Sequence, residues 1–222
     1  MEKDDKQASR REFLRNIAYG AGGFLLTSAV GIAWNIEKDD RKVKVVVVDF
    51  TKCTGCRTCE TVCSGYHHKQ TFGTTTIPGL VNPYKGNILV HHFTPDIDVT
   101  LVCSHCKDAP CIAACPVTPD LITGHKALYR DAETGCPTND TNRCLGCREC
   151  ARACRNIRTG TIRPNAETHK PEGICDQCNG NPQCVKYCPF KALEYKEVDY
   201  DRAYAGMSPE EIGKRLIRQF YS

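Results

Sequence analysis

The sequence predicts an α+β fold, rich in loops and organised around cysteine-held metal sites. Three observations lead there. Seventeen cysteines occur in 222 residues, a usage that marks a disulfide scaffold or a metal protein. Sixteen of them fall into four dense runs, an internal repeat of variable period. Short apolar stretches between the runs read as strands. The chain is 41% hydrophobic but holds only seven Phe and one Trp, so much of its folding free energy must come from cross-links or metal bonds. A formal charge of +4, with no basic stripe interleaved with aromatics, argues against nucleic acid as a partner.

Run one is Cys53, Cys56, Cys59 and Cys63. Run two is Cys103, Cys106, Cys111 and Cys115, followed by Pro116. Run three is Cys144, Cys147, Cys150 and Cys154. Run four is Cys175, Cys178, Cys184 and Cys188, followed by Pro189. A cubane [4Fe-4S] cluster needs four thiolates, one per iron. In C-x2-C-x2-C one short loop wraps a face of the cube, supplies three ligands and points its N–H groups at sulfur. The fourth Cys lies three residues on, in a helix, and turns away from that loop. In two-cluster ferredoxins it ligates the other cluster, and Pro after it belongs to the same signature. Disulfides between neighbours at this spacing are strained. Zinc ribbons use C-x2-C pairs without the third and fourth Cys. The runs therefore predict iron–sulfur clusters, with a structural zinc protein as the alternative.

The elements follow in chain order. In "SRREFLRNIAYGAGGFLLTSAVGIAW", Arg10-Arg11 and Phe13-Leu14 precede an uncharged stretch from Asn16 to Ile36. This resembles a twin-arginine export signal, and residues 1–35 form the leader. Clusters assemble in the cytoplasm, and the twin-arginine route carries folded cargo. A retained membrane anchor and an ordinary amphipathic helix are the alternatives. Residues 36–205 form the cluster-binding domain. "VKVVVVDF" predicts a strand entering run one, and Arg57 to Tyr66 a helix. "FGTTTIPGLVNPYKGN" is Thr/Gly/Pro-rich and predicts a surface loop. "NILVHHF" and "DVTLVC" predict strands before run two, Arg148 to Arg155 a helix in run three, and "ALEYKEV" a closing strand after run four. Residues 206–222 form a docking helix. Ser208 is its N-cap, Pro209 suits its first turn and Glu211 completes a capping box. Ile212, Leu216, Ile217 and Phe220 make its apolar face, for the chain's own core or for a partner.

Four such runs resemble the four-cluster ferredoxin-type electron-transfer subunits of molybdenum and tungsten oxidoreductases, among them the partners of dimethyl sulfoxide, nitrite, polysulfide and tetrathionate reductases. "CTGCRTCE" is most similar to partners of tungsten aldehyde-oxidoreductase-type enzymes. The resemblance covers roughly Val43 to Val198 and is carried by cysteine spacing, including the longer gaps in runs two and four. Run three departs from it, with Arg155 where many relatives have Pro. The resemblance implies two pseudo-symmetric bacterial ferredoxin-like modules, nested in the chain, with run one paired to four and two to three. It implies four [4Fe-4S] clusters. Cys53, Cys56, Cys59 and Cys188 hold the first, and Cys103, Cys106, Cys111 and Cys154 the second. Cys144, Cys147, Cys150 and Cys115 hold the third, and Cys175, Cys178, Cys184 and Cys63 the fourth. The implied partners are a molybdenum or tungsten catalytic subunit and a membrane quinone-linked subunit or cytochrome. With the leader, this implies a periplasmic location or the outer face of the cytoplasmic membrane, the alternative being cytoplasmic.

Other residues are less telling. Cys136 lies outside the runs and reads as a spare or packing thiol. His67-His68 and His91-His92 read as surface or loop histidines, since no C-x-x-C-H haem motif is present. His105, inside run two, is a candidate donor to a cluster sulfur. Arg57, Lys107, Arg148, Arg152 and Lys186 lie beside predicted ligands and are read mostly as solvated. The sequence holds no nucleophile motif, phosphate loop or catalytic acid/base pair. The functional expectation is a non-catalytic electron relay, with a free-standing polyferredoxin as the alternative.

Overall fold

The structure, a computed structural model, describes residues 42–77, 79 and 82–222. The twin-arginine-like leader lies outside them. The described residues belong to one compact unit, Asp40–Ser222. The fold is mixed α+β and loop-rich. Among the described residues no helix is long and apolar enough to cross a membrane.

Strand β1 (Lys42–Val48) pairs antiparallel with β10 (Leu193–Asp199), from Lys42 opposite Asp199 to Val48 opposite Leu193. The run of valines supplies β propensity, and Val43, Val45 and Val46 are buried. This one pairing brings the entry to run one beside the exit from run four. Strands β4 (Ile88–Thr94) and β5 (Ile97–Val102) form a hairpin with a register shift between His92 and Thr94. These four strands match the apolar stretches that predict them.

The predicted surface loop after run one is more ordered than its composition suggests. It holds a small hairpin of β2 (Gln70–Phe72) and β3 (Thr75–Ile77), turned at Gly73 with φ +59. All six strand residues are exposed, so the loop expectation holds for burial and not for conformation. Two further hairpins, β6 (Leu128–Arg130) with β7 (Pro137–Asn139) and β8 (Arg163–Pro164) with β9 (Pro171–Glu172), lie where the sequence predicts no strand. Both are turned by the same device. Asp131 accepts from the Glu133 and Thr134 amides, and Asn165 from those of Glu167 and Thr168. Gly135 and His169 then reverse the chain at φ +69 and +59. Such Asx turns replace backbone turn bonds with a side-chain acceptor.

Four helices sit in or beside the cysteine runs: α1 (Thr58–His67), α2 (Pro110–Ala113), α3 (Glu149–Ile157) and α4 (Gln183–Lys186). Helix α1 packs against α4, and α2 against α3. Two of three apolar clusters are studded with cysteine. One joins Val46, Ile88, Val90, Val102 and Leu193 to Cys59, Cys63, Cys175 and Cys184. The other joins Leu128, Ala151 and Ile162 to Cys111, Cys150 and Cys154.

The third cluster is an ordinary core. Helix α5 (Pro209–Phe220) lays Ile212 and Leu216 against Ile97, Val99 and Leu101 of β5. Its predicted capping box is present, with Ser208 Oγ accepting from the Glu211 amide and Glu211 accepting from the Ser208 amide. The apolar face is narrower than expected. Ile217 and Phe220 are 36% and 47% exposed, because Gly213 takes the position against the Phe93 ring and Phe220 lies a turn beyond Leu216.

A Cβ at position 213 would sit 2.5–2.8 Å from three Phe93 ring atoms. Ala gains about 1 kcal/mol of helix propensity over Gly. Overpacking costs about 1–3 kcal/mol, and three sub-contact distances to one ring favour the upper half of that range. Gly213→Ala is therefore expected to lower the unfolding temperature of the cluster-loaded protein in a thermal scan. An unchanged or raised Tm would show that the ring yields freely.

Candidate metal centres

Runs one and three share a backbone plan. Gly55 and Arg57 take φ +66 and +62 ahead of α1, and Gly146 and Arg148 take φ +65 and +67 ahead of α3. Alternating handedness winds the chain between the first three cysteines, and the helix then carries the third and fourth. Glycine is required at both turns on a second ground. A Cβ at 55 would lie 2.0 Å from an Asp98 carboxylate oxygen, and one at 146 would lie 2.7 Å from the Thr168 carbonyl. Runs two and four reach the same end with His105 at φ +51 and Gln177 at +56. Left-handed non-glycine residues cost about 1–3 kcal/mol each and persist only where the surroundings impose them.

The cysteines converge across runs. One cavity is lined by Cys53, Cys56, Cys59 and Cys188. A second is lined by Cys103, Cys106, Cys111 and Cys154, and a third by Cys115, Cys144, Cys147 and Cys150. In each, three thiols come from one run and the fourth from another. The remaining four lie close enough for their charges to interact: after burial itself, Cys63 and Cys178 raise the Cys184 thiol, and at Cys175 the charge of Cys103 from run two comes first, then those of Cys184 and Cys63. The seventeenth, Cys136, is 2% exposed, bonded to the Thr134 carbonyl at 3.7 Å, and lines none of the three cavities.

Burial is the main electrostatic cost of these sites. It pushes the Cys59, Cys111 and Cys184 thiols up to about 12, and Cys63 and Cys150 to about 11. Neighbouring cysteine charges add to each. Exposed Cys56 goes the other way: burial still raises it, but hydrogen bonds from Thr58, Thr54 and its own amide together outweigh that and leave it below the usual thiol range. Several donors already face sulfur. Backbone amides of Asn87, Gln177 and Ala192 donate to Cys63, Cys175 and Cys188 at 3.2, 3.4 and 3.3 Å. Thr100 Oγ1 lies 3.1 Å from Cys53 Sγ. Sites built of four thiols, desolvated and ringed by N–H donors, suit a soft, thiolate-binding cationic centre. The residues present thus fit iron–sulfur clusters.

The histidines differ from expectation at two places. His67 is not a surface residue. Its side chain is 18% exposed, with Nε2 3.5 Å from Asp176 and 3.7 Å from Cys178 Sγ. His105 is 1% exposed. Burial first, then the Arg130 charge, hold its imidazole at about 4, and its Nε2 faces Gln177 at 3.4 Å rather than a cysteine. His68 bonds the Lys85 carbonyl, and His92 pairs with Asp98 at 3.1 Å. Arg57 contacts Glu60 and the Val90 carbonyl, Arg148 contacts His169, and Arg152 contacts Glu149. Lys186 lies over the Tyr187 ring.

No protein-family model matches the chain. It is 32% identical over 186 residues to the aliphatic sulfonate oxidoreductase, polyferredoxin-like subunit, of Pyrococcus furiosus, covering 79% of this chain and 92% of that protein. It is 28% identical over 179 residues to the thiosulfate reductase electron transfer subunit PhsB of Salmonella typhi, covering 76% and 83%. A chain of the solved active site complex BamBC of benzoyl coenzyme A reductase with zinc aligns at TM-score 0.39 and 26% identity, over 82% of this chain and 94% of that one.

Cys136 lies outside the converging groups, so Cys136→Ser is expected to leave the iron content of anaerobically purified protein unchanged. Cys150→Ser, inside a group, is expected to lower it. Iron loss from the Cys136 variant would make that thiol a ligand after all.

Proposed function

The chain belongs to the polyferredoxin-like electron-transfer subunits of oxidoreductases, and from that premise we propose that its sixteen run cysteines hold four [4Fe-4S] clusters. It is an iron–sulfur electron-transfer subunit of a multisubunit oxidoreductase and not the catalytic one. The observation that carries the finer reading is the cross-pairing of runs. Each cavity draws three thiols from one run and its fourth from another, which supports two nested ferredoxin-like modules. Runs one and four are joined by the β1–β10 sheet and by the packing of α1 on α4, runs two and three by the packing of α2 on α3.

Bound clusters supply one-electron oxidation and reduction without a proton or bond change in the chain. The chain's own part is spacing and shielding. Cys59 and Cys184 share one apolar cluster, as do Cys175 and its neighbour Cys103, while Cys111 and Cys150 share another. This supports an order of centres running from the Cys53/56/59/188 group through Cys63/175/178/184 and Cys103/106/111/154 to Cys115/144/147/150. The outermost groups each contain an exposed cysteine, Cys56 and Cys147, and the inner groups contain none. Exchange with partners at the two ends follows from that layout. On our reading the partners are a molybdenum or tungsten catalytic subunit and a quinone-linked membrane subunit or other carrier. The basis is the resemblance of "CTGCRTCE" and its companion runs to such assemblies.

Anaerobically purified protein is expected to carry about sixteen irons. In Cys63→Ser, the perturbed centre is expected to be the one holding Cys175, Cys178 and Cys184, converting toward a three-iron centre in site-resolved spectroscopy. Damage instead to the centre of Cys53, Cys56 and Cys59 would mean that each run closes its own cube.

We also propose export of the folded, loaded protein through the leader at 1–35, to the periplasm or the outer face of the cytoplasmic membrane. Replacing Arg10 and Arg11 with Lys is expected to strand it in the cytoplasm on fractionation. A parent protein found wholly in the cytoplasm would remove this part of the reading.

A further inference from the structure

Runs two and four carry different residues at one equivalent place, just before the second cysteine. It is His105 in Cys103-Ser104-His105-Cys106 and Gln177 in Cys175-Asp176-Gln177-Cys178. Both have left-handed backbones, and both are almost wholly buried, at 1% and 3% exposure. They also meet, with Gln177 Nε2 3.4 Å from His105 Nε2.

The rest of the Gln177 amide is fixed. Its Nε2 donates to the Lys44 carbonyl at 2.6 Å, and its Oε1 accepts from the Tyr195 hydroxyl at 2.8 Å. Those two bonds settle which end of the amide is nitrogen. With the second amide proton donated to His105 Nε2, the ring proton resides on Nδ1, a buried atom with no hydrogen-bond partner among the described residues. Lys44 and Tyr195 lie on β1 and β10, the sheet that joins runs one and four. Gln177 is thus tied twice to that sheet and reaches once across to run two. The crossing lies beside Cys175 and Cys103, which belong to one apolar cluster and whose charges interact. A single hydrogen bond therefore interrupts the covalent path from one run to the other, with each of its residues next to one cysteine (Cys106, Cys178) and two positions from another (Cys103, Cys175).

We propose that the His105–Gln177 hydrogen bond, locked by Tyr195 and Lys44, is the positioning contact that sets the potentials of the two inner metal centres. Cluster potentials follow hydrogen bonding, burial and fixed dipoles around the sulfurs. An amide and an imidazole held still in a dry junction act on the centres either side of it. The outer centres are held by Cys53, Cys56, Cys59 and Cys188, and by Cys115, Cys144, Cys147 and Cys150. They lie beyond the junction and are spared. His105 and Gln177 act through the cysteines beside them and touch no substrate.

This inference rests on the cross-paired quartets proposed above. Its test is a redox titration of the full, cluster-loaded chain, followed by electron paramagnetic resonance at successive potentials. Gln177→Met keeps the side-chain length and removes all three bonds. His105→Leu removes the acceptor, and His105→Gln restores one. Tyr195→Phe removes only the hydroxyl that locks the amide. Gln177→Met and His105→Leu are expected to shift the potentials of two centres and leave the other two at parental values. Tyr195→Phe should shift the same two by less, with its iron content unchanged. His105→Gln should return them toward the parent. Should the two apolar variants lose iron, Tyr195→Phe and His105→Gln decide. Unmoved potentials in Tyr195→Phe and in whichever apolar variant retains its iron overturn the proposal. So does an equal shift of all four centres, which is the mark of a general structural effect. Failure of the four-cluster reading looks different, as a short iron count in the parent protein itself.

Discussion

Crowding sixteen thiols together, half of them buried, is the constraint on which the rest of this structure depends. A buried thiolate loses hydration and repels its neighbours. Both effects are visible at Cys59, Cys111 and Cys184, where burial is the larger cause and adjacent cysteine charge the next. Such sites hold ionised sulfur only against a compensating cation, so loading a metal centre must displace thiol protons, and metal affinity becomes folding free energy. The remainder of the fold is consistent with that dependence. Its sheets are all two-stranded among the described residues, and such pairs are marginal alone. Two of its three apolar clusters are built as much from cysteine as from aliphatic side chains. The exception, α5 on β5, is held by ordinary burial.

Exchange of the fourth cysteine shapes the topology. The cavity of Cys53, Cys56 and Cys59 takes its fourth cysteine, Cys188, from run four, and β1 pairs with β10 across nearly the whole described length. Closing so long a loop costs little more than closing a short one, about 0.6 kcal/mol for each doubling of length. Long-range pairing is therefore cheap once several bonds share it. Helix α1 shows the economy of the arrangement. One ten-residue helix places Cys59 in one cysteine group and Cys63 in the next, so packing α1 on α4 sets the spacing of both groups at once. β5 works similarly with its two faces. Ile97, Val99 and Leu101 meet α5, while Thr100 contacts the Cys53 thiol and Val102 joins the cysteine-lined core.

How much of this was legible in the sequence depends on whether an element is specified locally. The valine run at 43–48, the strands before run two and the helices that begin inside runs one and three were legible, because apolar alternation and cysteine spacing are local signals. The capping box at Ser208 and Glu211 was legible for the same reason. The hairpins at 128–139 and 163–172 were not, since their strands are only two or three residues long and their turns are set by Asp131 and Asn165 side chains. The repeat Asx-Ala-Glu-Thr at 131 and 165 was the available signal. Ile217 and Phe220 read as core because helical periodicity cannot say where the supporting strand ends. His67 read as a surface residue because only α1 packing on run four brings it to Cys178 and Asp176. Cysteine grouping by run was legible from spacing; which runs exchange their fourth thiol was not, and rested on resemblance.

The least legible feature is the junction at the centre. A duplicated sequence tends toward equal residues at equivalent places, and runs one and three keep Gly-Cys-Arg in common. Runs two and four part company at His105 and Gln177. Where two copies of a motif meet each other directly, their contact is a hydrogen bond, and a hydrogen bond has unlike ends. Two identical imidazoles at that junction would need opposite tautomers in the same surroundings. An amide opposite an imidazole avoids that difficulty. It spends its oxygen on Tyr195 and one proton on Lys44, and keeps a proton for the ring. Chemical asymmetry at this one pair of sites lets an otherwise repeated plan close on itself with the Gln177 amide matched donor to acceptor, while His105 Nδ1 is left without a hydrogen-bond partner among the described residues.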